Sequence, residues 1–422
     1  MNLKYLLTLA IHSAWNRKLT LGMTMMAVAL SVMLLLGVER LREQVHQGFG
    51  LSISGTDLVI GARTSPVQLM LYAVFRVGEP TNNISWASFE KLQQNPMVAW
   101  SIPISLGDSH RGFAVLGTNQ DYFKHYHYGD RLSLQLAEGK PFHEVFDTVI
   151  GSEVAKKLGY SLGSQITLSH GTGLGHHADH ADKPFIVSGI LKPTGTPVDH
   201  TLHVSLEALS AIHLDWVGGT QLPGFHIPPQ YVQKFDLKPK EITAALIGLK
   251  SRAAVFRMQR LINDFKDEPL LATMPGVALE QLWQVVDVAE KSLIAVSAIV
   301  VVVSLTGLVA IMISGLNERR RELAILRAVG AQPREILLLL LYEGMFVTLL
   351  SIVIGLAALT IASLLAAPLM QAHFGIAMSL HWLSAEELQL LAIIALVGLF
   401  ASLFPAYMAY KLSLADGLTP RL

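Results

Sequence analysis

Four long stretches of the chain are apolar and free of charge: residues 19–38, 292–316, 344–370 and 388–409, the third with an apolar approach from Ile336. As a helix, about 20 residues rise roughly 30 Å, the thickness of one hydrocarbon core, so each stretch predicts a transmembrane helix. Between the first and second the pattern changes. Strand-like runs (166–169, 185–191, 242–249) alternate with helix-like ones (152–158, 252–265), and glycines and prolines from 193 to 229 predict extended loops there. This mixture reads as α+β. Leu279, Leu282, Val286 and Ala289 fall at helical spacing ahead of the second span, which predicts a stalk continuous with it, and residues 39–45 provide a matching stalk after the first. The predicted fold class is therefore membrane α-helical, with four transmembrane helices plus an α+β extracytoplasmic domain on helical stalks.

Charge sets the orientation. Lys4, Arg17 and Lys18 precede the first span, Arg319, Arg320, Arg321, Arg327 and Arg334 lie between the second and third, and Lys411 and Arg421 follow the fourth. All fall on one side if both termini are cytoplasmic. The expected order is a cytoplasmic segment (1–18), helix 1 (19–38), the extracytoplasmic domain with stalks (39–291), helix 2 (292–316), a cytoplasmic coupling helix (317–335), helix 3 (336–370), an outer loop (371–387), helix 4 (388–409) and a cytoplasmic tail (410–422). The first span reads as a retained anchor rather than a signal peptide, because its apolar core is long and its small-residue cleavage signal poor. The wider composition agrees with lipid as the surroundings: 51% of the 422 residues are hydrophobic, 15% charged, and mean hydropathy is +0.44. Zero net charge argues against nucleic acid as a partner, and the absence of cysteine removes disulfides, thiolate metal sites and thiol nucleophiles.

The most informative segment is 317–334. Glu318, Arg319, Arg320, Arg321 and Glu322 form a charged first turn, Leu323, Leu326 and Val329 share one face, Arg327 follows, and Gly330 and Pro333 are placed to end one helix and open the next. Such an amphipathic helix could press into a groove on a cytoplasmic partner, or clamp lipid headgroups; the residues alone fit both. The run resembles the signature "RRREIAILRALGA" of the permease family that includes the macrolide exporter MacB, the lipoprotein-releasing LolC and LolE, and the division protein FtsX. Tyr342-Glu343-Gly344…Ser351…Gly355 is similar to that family's third span. Phe404-Pro405-Ala406…Ala409…Leu412 to Leu418 is similar to its closing motif, with Ser413-Leu414 replacing the usual Asp-Pro. Val149-Ile150-Gly151…Leu158-Gly159…Gly163…Ile166 and Phe185 to Leu191 resemble the outer domain's strand–helix–strand pattern.

The resemblance implies a homodimer or heterodimer, with two ABC ATPase subunits docked on residues 317–330 and ATP and Mg²⁺ bound by them. ATP-driven closure would be relayed through the stalks to the outer domains of a bacterial inner-membrane complex. No G-x-x-x-x-G-K-[ST] occurs here, nor a G-x-S-x-G elbow or an H-E-x-x-H helix, so the chain is read as no enzyme. Glu343, about two turns inside the third span, is an intramembrane carboxylate with a structural hydrogen bond as its expected role.

The histidines stand apart. Of the 16, all but His12 fall outside on this topology, and they cluster in His170, His176, His177 and His180, with Asp179 and Asp182 among them and His200 and His203 close behind. Imidazole and carboxylate at short spacing suit zinc, nickel or copper, and Zn²⁺ is the expected cofactor. The same composition also fits a solvated polar loop. The insertion resembles permeases of this family found beside zinc-responsive, His-rich periplasmic proteins, which implies such a protein or an adaptor as a further partner. Two functions follow as expectations: an ATP-driven permease for zinc, a zinc-binding species or a lipophilic cargo, and an FtsX-like signalling subunit that activates an outer partner.

Overall fold

The computed structural model describes residues 18–170, 180, 182–217, 220–221, 227–318, 320–328, 330–374 and 383–415. These fall into two compact units, one made of residues 44–286 and 370–374 and the other of residues 18–43, 287–369 and 383–415.

The chain enters through α1 (Lys18–Leu51), 34 residues and about 50 Å long, well beyond a single hydrocarbon core. The sheet unit follows. Its first sheet orders β12 (Leu270–Thr273), β1 (Leu58–Ala62), β11 (Ala244–Leu249) and β2 (Val98–Ile104), all antiparallel. Successive side chains of β1 point to opposite faces, so Val59 enters one core with Leu69, Tyr72 and Ile102. Leu58 and Ile60 enter another with Met258 and Ile262. The helices that cover these faces are α2 (Pro66–Ala73), α3 (Trp86–Gln93) and α7 (Val255–Asn263).

The second sheet carries the histidines. Its order is β7 (Gln165–Ile166), β9 (Phe185–Leu191), β6 (Asp147–Ile150), β10 (Thr201–Ser205), β4 (Phe113–Thr118), β3 (Asp108–His110) and β8 (Ser169–His170), with β5 (Leu136–Gly139) added on β9. The β9–β6 and β10–β4 pairs are parallel and the others antiparallel. Two short helices, α5 (Ser152–Leu158) and α6 (Leu206–Ile212), pack Val154, Ala208 and Ile212 against Ile150, Phe185 and Leu202, while α4 (Asp121–His125) lies nearer the first sheet. The expected run of loops from 193 to 229 is corrected here, since β10 and α6 lie inside it. The Thr-Leu-His-Val-Ser run has strand character, and the Ser205 hydroxyl accepts from the Ala208 N–H to start α6.

Beyond the sheets come α8 (Pro275–Glu318), α9 (Arg320–Ala328), α10 (Pro333–Phe374) and α11 (Ala385–Ala415). Together with α1, helices α8, α10 and α11 are long and apolar enough to cross a membrane. Their outward residues are apolar (Met23, Val303, Leu365, Phe400), whereas Thr24, Ser31, Thr348, Ser351 and Ser402 are buried. That inversion suits lipid as solvent, because buried hydroxyls join helices where hydrocarbon cannot. The Ser31 and Ser304 hydroxyls meet at 2.6 Å between α1 and α8. A methyl on Gly355 would lie 2.7 Å from the Ala29 carbonyl oxygen, so α10 approaches α1 where only glycine fits.

Candidate functional site

The β8–β3 register sets His170 opposite Asp108. Their side chains meet, with Asp108 Oδ1 2.9 Å from His170 Nδ1. The other ring nitrogen of His170, Nε2, lies 3.2 Å from Nε2 of His180, whose backbone N–H donates to the Leu168 carbonyl. A third imidazole arrives from the end of α6: the His213 ring stacks on His170 at 4.7 Å, and its Nδ1 engages the Leu209 carbonyl at 2.7 Å, leaving Nε2 as its ligand atom. One ligand atom from each of Asp108, His170, His180 and His213 lies within 4.8 Å of the others, so the group could hold a metal ion. The Trp216 indole flanks it, 4.3 Å from the His180 ring and 5.1 Å from His170.

Burial keeps two of these rings, those of His180 and His213, neutral, the form that ligates. Burial, aided by the neighbouring His213 and His170, pushes His180 down to about 4. Burial likewise lowers His213. Beside the group, the fully buried Lys183 ammonium donates to Asp215 at 2.6 Å and to Asp182 at 3.2 Å, tying the segment after His180 to the segment after His213.

Of the residues singled out in the sequence, the structure brings together His170 and His180 and adds Asp108 and His213, which no local spacing marks. Asp182 partners Lys183. His203 points into the core on β10, packed on Tyr122 and Phe123 with Nδ1 3.2 Å from the Val149 carbonyl, and burial pushes it down to about 3. His200 stacks on Phe113. Neither joins the group: β10 aims His203 at the opposite, aromatic side of the fold. His176, His177 and Asp179 lie outside the described residues.

At the other candidate site, α9 is firmly ended. Ala331 N–H donates to the Leu326 carbonyl and Gly330 N–H to that of Arg327, with Gly330 at φ +101°, the paired bonds of a Schellman motif. Next, Gln332 N–H donates to the Glu335 carboxylate and Glu335 N–H to the Gln332 carbonyl, opening α10 at Pro333. Leu323 and Leu326, expected to face a partner, are half-buried against the chain's own helices, Leu326 on Leu339, while Ile325 is exposed at 63%. An apolar face beside long apolar helices finds cover there first. Arg327 is half-buried; Arg319 lies outside the described residues, as do the side chains of Glu318, Arg320, Arg321 and Glu322. Glu343 is buried on α10 beside Gly344, which packs closely on Ser402 of α11.

Residues 294–414 match the family model "FtsX-like permease C-terminal" and residues 21–243 the model "MacB-like periplasmic core domain". The chain is 32% identical over 98 residues to the ABC transporter permease YtrF of Bacillus subtilis, covering 23% of this chain and 22% of that protein. Against the pyoverdine export ATP-binding/permease protein PvdT of Pseudomonas syringae pv. tomato it is 23% identical over 428 aligned positions, covering 97% of this chain and 59% of that protein. It thus spans less than two thirds of either relative. Among solved structures, the periplasmic region of MacB from Actinobacillus actinomycetemcomitans covers 55% of this chain and 94% of its own (TM-score 0.33, 13% identity). The extracellular domain of the transporter YknZ covers 52% and 99% (TM-score 0.29, 14% identity). With one family model over the sheet unit and another over the last three long helices, the chain belongs to the MacB/FtsX-like family of ABC transporter permeases.

Proposed function

We propose that this multi-pass permease works with a separate ABC ATPase that docks at α9 on the cytoplasmic side, and that ATP-driven motion there is passed through the long helices to the periplasmic domain. The observation that carries the reading is the fastening of α9. Its Schellman end at Gly330, the Gln332–Glu335 start of α10 and the Leu326–Leu339 contact join it to α10 with little slack, so a displacement of α9 becomes a displacement of α10. Ile325, exposed on the same helix, is the apolar contact offered to the partner. Two permease chains with two ATPases form the working assembly, as the family resemblance implies, and a transition metal or metal-binding species is its cargo or its effector.

The test is co-purification and ATPase assay in lipid with Ile325→Asp. Charge on that face should abolish ATPase recruitment or its stimulation while the permease still inserts. Recruitment and stimulation at the level of the unaltered chain would overturn the docking assignment.

A further inference from the structure

We infer that His170, His180 and His213, oriented by Asp108, form a binding site for one divalent transition-metal ion, with Zn²⁺ the best match. Any part the ion plays in transport rests on the function proposed above; its binding does not.

Distances argue first. In a tetrahedral zinc site with metal–nitrogen bonds of about 2.0–2.1 Å, neighbouring ligand atoms stand about 3.3 Å apart. The Nε2 atoms of His170 and His180 are 3.2 Å apart. Two neutral imidazole nitrogens at that separation avoid lone-pair repulsion only if one carries a proton; a cation between them removes that need. One ligand atom from each of the three histidines and from Asp108 lies within 4.8 Å of the others, so one ion could be reached by all.

Outer contacts argue second. Asp108 Oδ1 lies 2.9 Å from Nδ1 of His170, and the Leu209 carbonyl occupies Nδ1 of His213, so Nε2 is left as the ligand atom of each, the kind of outer contact that orients metal-bound histidines. His180 is fully buried, and its Nε2, 3.2 Å from that of His170, is the nitrogen placed to ligate.

Charge argues third. The Lys183 ammonium is already matched by Asp215 and Asp182, so it does not oppose a cation, and the Asp108 carboxylate offsets part of the ion's charge. Three nitrogens disfavour Mg²⁺ and Ca²⁺, which prefer oxygen. Asp108 also lines an open cavity of about 430 Å³ with Arg76, Glu79 and Ser109.

The experiment uses the full-length chain in detergent, stripped by chelator and without ATPase, so that failure of the permease reading cannot affect it. Zn²⁺ is titrated against a chromophoric chelator, and Co²⁺ serves as a spectroscopic probe of coordination. The expected result is one Zn²⁺ per chain, a tetrahedral Co²⁺ spectrum and a rise in melting temperature with Zn²⁺. Loss of affinity should be about 10–100-fold in Asp108→Asn, the typical effect of an outer contact, and larger in His170→Ala and His213→Ala. The double variant His176→Ala, His177→Ala should bind as the unaltered chain does. If His170→Ala does not fold, His213→Gln at the helix end tests the same ligation, with metal-free melting as the check on folding. No stoichiometric Zn²⁺, undiminished binding in a folded His213 variant, or loss only in the His176, His177 variant would overturn the site.

Discussion

Arg40 Nε donates to Glu387 Oε1 at 2.6 Å, joining α1 to the first turn of α11. Glu387 is fully buried, and it also caps its own helix: Ser384 N–H donates to its carboxylate and its N–H to the Ser384 hydroxyl. Removing Arg40 therefore strands a buried carboxylate that must hold its place in the cap. Arg40→Ala should cost about 3 kcal/mol or more, read as a lower melting temperature in detergent. Glu387→Gln, which keeps an acceptor, should cost less. Equal melting of Arg40→Ala and the unaltered chain would show the pair to be incidental.

Glycines in the long helices give a matched pair. Gly355→Ala drives a methyl towards the Ala29 carbonyl on α1 and should destabilise by about 1–3 kcal/mol. Gly22→Ala meets nothing within 4 Å and should be neutral or stabilise by up to about 1 kcal/mol through helix propensity. Melting curves that rank the two the other way would contradict the close α1–α10 contact.

Acid stability reports on His203. Burial, with the Arg76 guanidinium nearby, holds it at about 3 in the folded chain, against an ordinary value of about 6.5. Between these values only the unfolded chain takes up the proton. Stability should then be unaffected above pH of about 6.5 and fall by about 1.4 kcal/mol per pH unit below it, down to about pH 3. In metal-free protein, His203→Gln should show a slope shallower by one proton across pH 6 to 4. His180 and His213 act in the same direction, so the difference between the two slopes isolates His203; identical slopes would refute the assignment.

Orientation is tested by single cysteines in a chain that has none. Ile186 on β9 and Ile325 on α9 are both exposed. In intact cells an impermeant thiol reagent should modify Ile186→Cys and not Ile325→Cys; the reverse pattern would invert the topology.

The long helices were legible because a bilayer imposes a length and an exclusion of charge that a single sequence displays directly, as the stretch from 292 to 316 does within α8. The group proposed to bind a metal was half legible. His170 and His180 announce themselves in a His-rich run, but Asp108 and His213 arrive through the β3–β8 register and the end of α6, and pairing between distant strands leaves no local mark. His203 misled for the opposite reason: closeness in sequence said nothing of the face of β10 from which it projects. Leu323 and Leu326 were visible as an apolar face, yet periodicity cannot say whether a partner or the chain itself covers it.

Strand β8 is two residues long and, among the described residues, terminates its sheet beside β3. A strand this short contributes little backbone pairing, so the margin of the sheet is closed by three imidazole rings and an indole rather than by a further strand. Whatever loosens that ring cluster uncovers β3 as a template for another chain. The first sign of damage at this corner would then be self-association, visible by light scattering while the helical signal is still intact.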